Sequence, residues 1–481
     1  MINFNNNIGL LSKEEILEKE IKEFNSSDKR KWMITGERYY AVDNDINERK
    51  IVRYTEDGPV EEMYKANNKL AHAKVKNLVD EKVSYLLSKE ITYDCENKAL
   101  VDKLDEILGD DFQYSLQDLG YESSNKGIAW LQVYISPDGK FKFMVIPAEQ
   151  CIPLWEDRSH TVLQGMIRYY NLVVYEGRNK KTVTKIEYYT NETVDYYISD
   201  DNKKIILDSE RYLNESEGPI GHYKKNGKPM SFGKVPFIAF KNNKLEYPDI
   251  KFIKSLVDNY DMARSDIANF IEETKNLIYV LKGYGGENLG EFMRDLNYYR
   301  AINIDDPESG GVDTLNPQID ITSAKEHFEQ LKRDIIEDGQ GVPKDLDKYG
   351  NSPSGIALKF MYSGLDLKCN LLEREYKRSW KELMYFINIY LSESGEGNFS
   401  KDKVSIIFNK DIEINETEVI SNCIQSSNIL SEETVISQHP WVKNIEQEMD
   451  RISKDKEKNM NITSQFIKNK IPIENGNLNE E

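Results

Sequence analysis

Between residues 69 and 87, KLAHAKVKNLVDEKVSYLL, the apolar positions Leu70, Val75, Leu78, Val79, Val83, Leu86 and Leu87 recur three and four apart. That spacing predicts a helix with one apolar face. A longer stripe follows in 247–277, through Phe252, Leu256, Tyr260, Ala263, Ile267, Phe270, Ile271 and Leu277, and predicts a helix of about eight turns. The longest lies in 355–391, where Met361, Leu365, Leu372, Tyr376, Trp380, Leu383 and Ile387 stand three, four or seven apart. Two further helices open on capping boxes. One starts at Ser12 with Glu15 and runs toward Trp32, and the other starts at Ser323 with Glu326 and ends near Gly339.

Elsewhere the period shortens to alternation. Residues 127–155 read as two β runs around the turn Pro137-Asp138-Gly139. MIRYYNLVVYE, TKIEYYT, VDYYIS and VPFIAFK add strands, since tyrosines and β-branched residues suit a pleated surface. The region from about 90 to 245 is therefore read as mostly β, after a helical start. ITYDC is expected to be a short strand and GERYYAVDND an extended aromatic segment.

The helices at 247–277 and 323–339 leave and return around a small α/β insertion, with a strand near Ile278–Leu281 and a short helix near Leu289–Tyr298. Before the long helix, Ser352 is placed to cap and Pro353 fits the first helical position, where its missing N–H costs nothing. The preceding polar stretch, with Lys344, Asp345, Asp347, Lys348 and Asn351, cannot bury itself and must face water or a partner. Beyond a Gly/Ser break at SESGEGNFS come a strand, KVSIIFN, and two or three shorter helices. The overall class is α+β in about three lobes, given the chain's length.

Charge narrows the partners. With 83 acidic against 64 basic residues the net charge is -19, opposite to a protein that grips phosphate. Cys95, Cys151, Cys369 and Cys423 form no CxxC pair and are expected as buried free thiols. No apolar run is long enough to span a membrane, and the first residues do not read as a secretory signal, so an intracellular chain is expected. The calcium-loop-like start at Asp43, Asp45 and Asn47 puts Glu48 where glycine is needed. GYGGENLG lacks the phosphate-loop spacing, and the five histidines show no ligand pairing. No enzyme, catalytic constellation, cofactor or metal is expected.

Four stretches, GERYYAVDNDI (36–46), NNKLAHAKVKNLVDEKVSYLLSKEIT (67–92), NSPSGIALKFMYSGLDLKCNLLE (351–373) and LSEETVISQHPWVKNIEQEMDRI (430–452), resemble in content and order the tailed-bacteriophage portal proteins of the SPP1 type. The resemblance spans almost the whole chain. It implies a ring, usually of twelve subunits, at one capsid vertex, conducting double-stranded DNA through its axis. The implied parts are a β-rich wing (1–246, with 355–428 supplying a long kinked helix and a strand) and two stem helices (247–275 and 321–339). Between and after these would come an α/β clip (276–320), a tunnel loop (340–354), a helical crown (429–472) and a disordered tail (473–481).

By the same resemblance, Lys344, Asp345, Asp347, Lys348, Tyr349 and Asn351 would line the channel as a tunnel loop. Glu326, Glu329, Lys332, Arg333 and Glu337 would form the stem wall, and Asp305, Asp306, Glu308 and Asp313 would dock partners at the clip. The implied partners are further copies of the chain, the terminase large subunit, a head-tail adaptor, and the major capsid and scaffolding proteins, with no membrane. The location implied is the virion, assembled in the bacterial cytoplasm. Physics favours the same reading, because a conduit for a sliding polyanion must not hold phosphate tightly. Another virion structural protein, such as a minor head or adaptor protein, is the alternative, but it would not be expected to carry this order of helices and loop.

Overall fold

The computed structural model describes residues 11–63, 65–176, 178–199, 204–212, 220–274, 278–282, 288, 290, 311–315, 321–343, 355–410, 416–442 and 445–468. The chain divides into two compact units, Met1–Pro343 with Ser363–Asp411, and Lys344–Tyr362 with Ile412–Glu481.

Helix α1 (Lys13–Ser26) opens on the predicted capping box, Ser12 Oγ accepting from the Glu15 amide at 3.2 Å and Glu15 Oε2 from the Ser12 amide at 2.8 Å. It stops short of Trp32. Ser27 adopts extended backbone and caps a separate helix, α2 (Asp28–Tyr40). GERYY, expected to be extended, belongs to α2, because Met33, Gly36 and Tyr39 form one buried face at helical spacing. Gly36 is required there: a Cβ would sit 1.8 Å from the Asn125 carbonyl oxygen. A 3-10 turn at Asp45–Glu48 follows, then the hairpin β1 (Val52–Thr55) and β2 (Gly58–Glu61).

Helix α3 (Lys74–Leu87) starts five residues later than its apolar pattern predicts, since residues 68–72 are held extended by side chains described below. After β3 (Thr92–Asp94) comes α4 (Lys98–Lys126), which interrupts the region read as β. Leu100, Leu104, Leu108, Phe112, Leu116 and Leu119 are its buried stripe, close to helical period throughout. Gly109, at φ 47 and ψ -156, breaks it in the middle with a backbone that only glycine adopts readily.

The β-rich part makes two sheets. The hairpin β4 (Ile128–Ile135) and β5 (Phe141–Ile146) turns at the predicted Pro-Asp-Gly. Next come β6 (Cys151–Trp155), the long pair β7 (Leu163–Glu176) and β8 (Asn179–Tyr189), β9 (Val194–Ser199) and β10 (Ile205–Leu207), antiparallel throughout in the order β10-β9-β8-β7-β6. One turn of helix, α5 (Ser209–Tyr212), and a small hairpin, β11 (Tyr223–Lys225) with β12 (Lys228–Met230), lead to β13 (Phe237–Lys241). β13 pairs with β4 and completes a three-stranded sheet. Trp130, Met166, Tyr189, Val194 and Phe237 join the two sheets in one core, onto which Met33 of α2 packs.

Helix α6 (Ile250–Thr274) follows, then β14 (Ile278–Lys282), β15 (Gly311–Leu315) and α7 (Ile321–Asp338). Because α7 begins at Ile321, Ser323 lies inside its first turn rather than at a cap. The predicted helix at 289–298 apart from Gly290, the glycine-rich 283–287, and the caps Ser352 and Pro353 lie outside the described residues, as does the tail 473–481. Helix α8 (Gly355–Ser394) is continuous over 40 residues, and no break marks the expected kink among its described residues. Its predicted stripe is buried from Met361 to Ile387. Trp380 stacks on Tyr93 of β3 at 5.4 Å, and its indole donates to the Val404 carbonyl at 3.1 Å, beside β16 (Ser405–Ile407), which pairs with β3.

In the second unit, α9 (Glu416–Ser426), α10 (Glu432–Ser437) and α11 (Ile445–Lys468) follow one another. Lys456 of α11 pairs with Glu432 of α10 at 2.5 Å.

Candidate functional site

Helices α6 and α7 lie side by side and run antiparallel. Tyr260 meets Phe328 edge-on at 6.4 Å in the middle, while Phe252 and Ile253 at the start of α6 share a groove with Asp338 and Gly339 at the end of α7. Arg264 lies over the Phe328 ring, 5.2 Å from its centre. Beyond them β14 and β15 pair in register from Ile278↔Leu315 to Lys282↔Gly311, so the chain leaves along one helix and returns along the other. Asp313, one of the four predicted clip residues, stands opposite Val280 in that ladder. Asp305, Asp306 and Glu308 lie outside the described residues.

The five predicted wall residues do not share one position on α7. Leu331 and Ile335 are buried, with Phe328 half-buried, and together they mark the packed side. At about 100° per residue, Glu326, Arg333 and Glu337 fall on the opposite side, and all three are exposed. Lys332 falls on the flank and is half-buried, its ammonium 3.5 Å from Glu329. Such a pair near the surface contributes roughly 0–1 kcal/mol. From 321 to 340 the helix and its exit carry five acids, Glu326, Glu329, Asp334, Glu337 and Asp338, against Lys325, Lys332 and Arg333. The free side of α7 is thus polar with an acidic surplus.

Polar groups fix α6 to the body along its length. Asn269, Ser265 and Asp261 are buried on one side of α6, four residues apart, and accept from the backbone amides of Asn68, Leu70 and His72 at 2.6, 3.0 and 3.2 Å. The spacings match, because four helical residues rise about 6 Å and two extended residues about 6.6 Å. These bonds satisfy three backbone amides ahead of the helix, in the place of the caps that a helix starting at Lys69 would need, and α3 starts only at Lys74. Asn44 and the His72 ring complete the shell of Asp261 at 2.5 and 2.7 Å.

At the foot of α6 sits a charged centre. Asp249, immediately before the helix, takes Lys82 of α3 at 2.7 Å, Lys368 of α8 at 3.0 Å and the Asn242 amide at 2.8 Å. Burial alone would raise its carboxyl, but the Lys368 and Lys82 ammonium groups overcome this and hold it well below the usual carboxylate range. A second carboxylate, Glu246, is buried among Lys29 at 2.5 Å, Lys241 at 3.0 Å and His160 at 2.6 Å. Burial would raise it too, yet Lys29, His160 and Lys241 bring it down to about 2. Both Glu246 and His160 carry left-handed backbone, at φ 56 and 54.

Lys344, Asp345, Asp347, Lys348, Tyr349 and Asn351 lie outside the described residues. The bank leading to them is held firmly. Lys368 donates to the Gly339 carbonyl at 3.0 Å, and the Val342 amide donates to Glu81 of α3 at 2.9 Å. Sequence reasoning missed Lys82, Asp249 and Lys368 as one centre. The available signal was Lys82 itself, a lysine inside the apolar stripe of α3.

Cys151, Cys369 and Cys423 are buried free thiols as expected, whereas Cys95 is only half-buried. Asp43 and Asp45, at the calcium-loop-like start, are engaged by Arg38 and Lys254. Among the described residues no cluster of His, Cys, Asp or Glu is arranged to hold a metal ion, and no helix is long and apolar enough to cross a membrane.

Residues 20–461 match the family model described as phage portal protein, SPP1 Gp6-like. The portal protein of Bacillus phage SPP1 is 32% identical over 427 residues, covering 88% of this chain and 83% of that relative. The portal protein of Clostridium phage phiCD119 is 30% identical over 435 residues, covering 87% and 91%. With a family model matched over most of its length and relatives aligned nearly end to end, the chain belongs to the SPP1 Gp6-like family of phage portal proteins.

Proposed function

We propose that the chain is the portal subunit of a tailed phage. Twelve copies close into a ring at one capsid vertex, and double-stranded DNA passes through the axis during packaging and ejection. The observation that carries this reading is the antiparallel α6–α7 pair, in which α7 is packed on one side and polar with an acidic surplus on the other. In a ring the bare side of α7 faces the axis. There Glu326 and Glu337 against Arg333 repel phosphate, so DNA slides without releasing the counterions that would hold it.

In this assignment α6 and α7 are the stem and 276–320 the clip, which docks the terminase large subunit and later a head-tail adaptor. Residues 340–354 are the tunnel loop, carried between the clamped exit of α7 and the start of α8. The β-rich part with α8 is the wing, in contact with the major capsid and scaffolding proteins, and 429–472 the crown. The ring becomes part of the virion.

Imaging the purified protein tests the assembly, and a ring with a central hole is expected. The channel is tested by Glu326→Lys with Glu337→Lys. These exposed changes leave ring formation intact and slow or stall DNA packaging. Particles containing only monomers and dimers would overturn the ring, and normal packaging by the doubly charged variant would overturn the assignment of α7 to the channel wall.

A further inference from the structure

β7 and β8 pair along their whole length, from Met166↔Tyr189 to Glu176↔Asn179, but their neighbours do not follow them. β6 covers β7 only as far as Arg168, and β9 covers β8 only from Thr184 onward. The last five pairs, Leu172↔Val183 to Glu176↔Asn179, therefore form a two-stranded ribbon flanked by no third strand among the described residues, about 17 Å long at strand rise. Such a ribbon is at best marginally stable in water by itself. Yet its first strand carries four consecutive exposed apolar residues, Leu172, Val173, Val174 and Tyr175, the last 74% exposed. A run of that kind on an unpaired edge marks a contact surface.

The same ribbon end carries Arg178, Lys180 and Lys181, none of which makes an ion pair among the described residues. They are cations in a chain of net charge -19, whose copies repel one another unless cations are set at the contact. A complementary surface exists on the same chain. On the second half of α4, Asp111, Tyr114 and Asp118 share one exposed face at spacings of three and four, with Asp110 beside them, and Tyr114 is 69% exposed. These aspartates likewise make no ion pair among the described residues.

We propose that the free end of the β7–β8 ribbon is an assembly arm that lies on the outer face of α4 in a second copy of this chain. Lys180, on the ribbon face it shares with Val173 and Tyr175, and Arg178 beside the turn meet Asp110, Asp111 and Asp118 of the next copy, and that face covers Tyr114. The contact joins two different patches, so it propagates head to tail and closes as a ring when the rotation allows. This rests on the ring proposed above and adds the surfaces that join its copies.

The test is charge reversal in the full-length protein, read by native mass spectrometry and sedimentation, with circular dichroism to verify folding. Arg178→Glu with Lys180→Glu, and separately Asp111→Lys with Asp118→Lys, each lower the ring fraction at least tenfold. Combining all four restores most of it, because the pairs re-form with their signs exchanged. Tyr175→Ser lowers it without changing its dependence on salt. Full assembly by both reversed variants overturns the arm, as does failure of the four-fold variant to recover while it is folded. Ribbon variants that form normal rings but are left out of capsids overturn the proposal in favour of a capsid-protein contact. A wild-type protein that never associates overturns the ring reading and the arm together, which separates the two failures.

Discussion

Replacing Asp249 by Asn removes one charge and almost no volume, so its cost isolates the electrostatics at the foot of α6. In the native protein one carboxylate compensates two ammonium groups, Lys82 with its side chain 1% exposed and Lys368 with 15%. The neutral amide would leave both cations without this counter-charge in a largely buried site. Removing one partner of a buried pair costs roughly 3–5 kcal/mol, because the remaining charge stays desolvated. Lys82→Met is the control. It leaves Asp249 paired with Lys368 and bonded to Asn242, so its cost should be about 1–2 kcal/mol, near the lower end for lost buried hydrogen bonds. The assay is urea unfolding at neutral pH followed by tryptophan fluorescence, with hydrogen exchange to locate the loosening. Exchange should rise first in 250–257, the opening turns of α6. Equal costs for the two substitutions, or a cost below about 1 kcal/mol for Asp249→Asn, would refute the view that this carboxylate anchors the helix.

Glu246 gives a pH dependence with a defined sign. Its folded value near 2 lies below the usual 4.5, so its contribution is complete above about pH 4.5 and is lost as pH falls through about 2. At about 1.4 kcal/mol per pH unit the shift corresponds to roughly 3 kcal/mol, and Glu246→Gln should flatten the acid limb of the stability curve in a pH-resolved melt. His222, buried and brought down to about 4, works in the same direction, its contribution falling as pH drops from 6.5 to 4. Trp380→Ala should cost roughly 3–5 kcal/mol in chemical unfolding, since it empties the space between Tyr93 and Phe112. Replacing 344–351 by a Gly-Ser link should leave subunit folding and ring formation nearly intact and impair DNA packaging or retention, and filled capsids at the normal yield would refute the tunnel-loop role.

Hydrophobic period alone determined the long helices, because a stripe such as Leu365, Leu372, Tyr376, Trp380 and Ile387 can be buried in only one way on a rod that turns every 3.6 residues. The hairpin at Pro137-Asp138-Gly139 and the Ser12 capping box were equally legible, since their hydrogen bonds close within five residues of sequence. The order of those elements also carried the resemblance to portal proteins. Helix α4 was legible too, in a leucine stripe that the surrounding β-rich composition obscured.

Other features were decided only by packing. GERYY is helical because Met33 and Tyr39 are buried and Gly36 meets the Asn125 carbonyl, a contact between residues some ninety positions apart. Residues 68–72 are extended because a distant helix offers acceptors at a matching rise. On α7 the sequence shows acids and bases in a helix, but which side is free depends on where α6 lies. That contact leaves Glu326, Arg333 and Glu337 exposed and turns Lys332 to the flank. Charge is read from one residue at a time, whereas burial and pairing depend on partners that only the folded chain brings within a few ångströms.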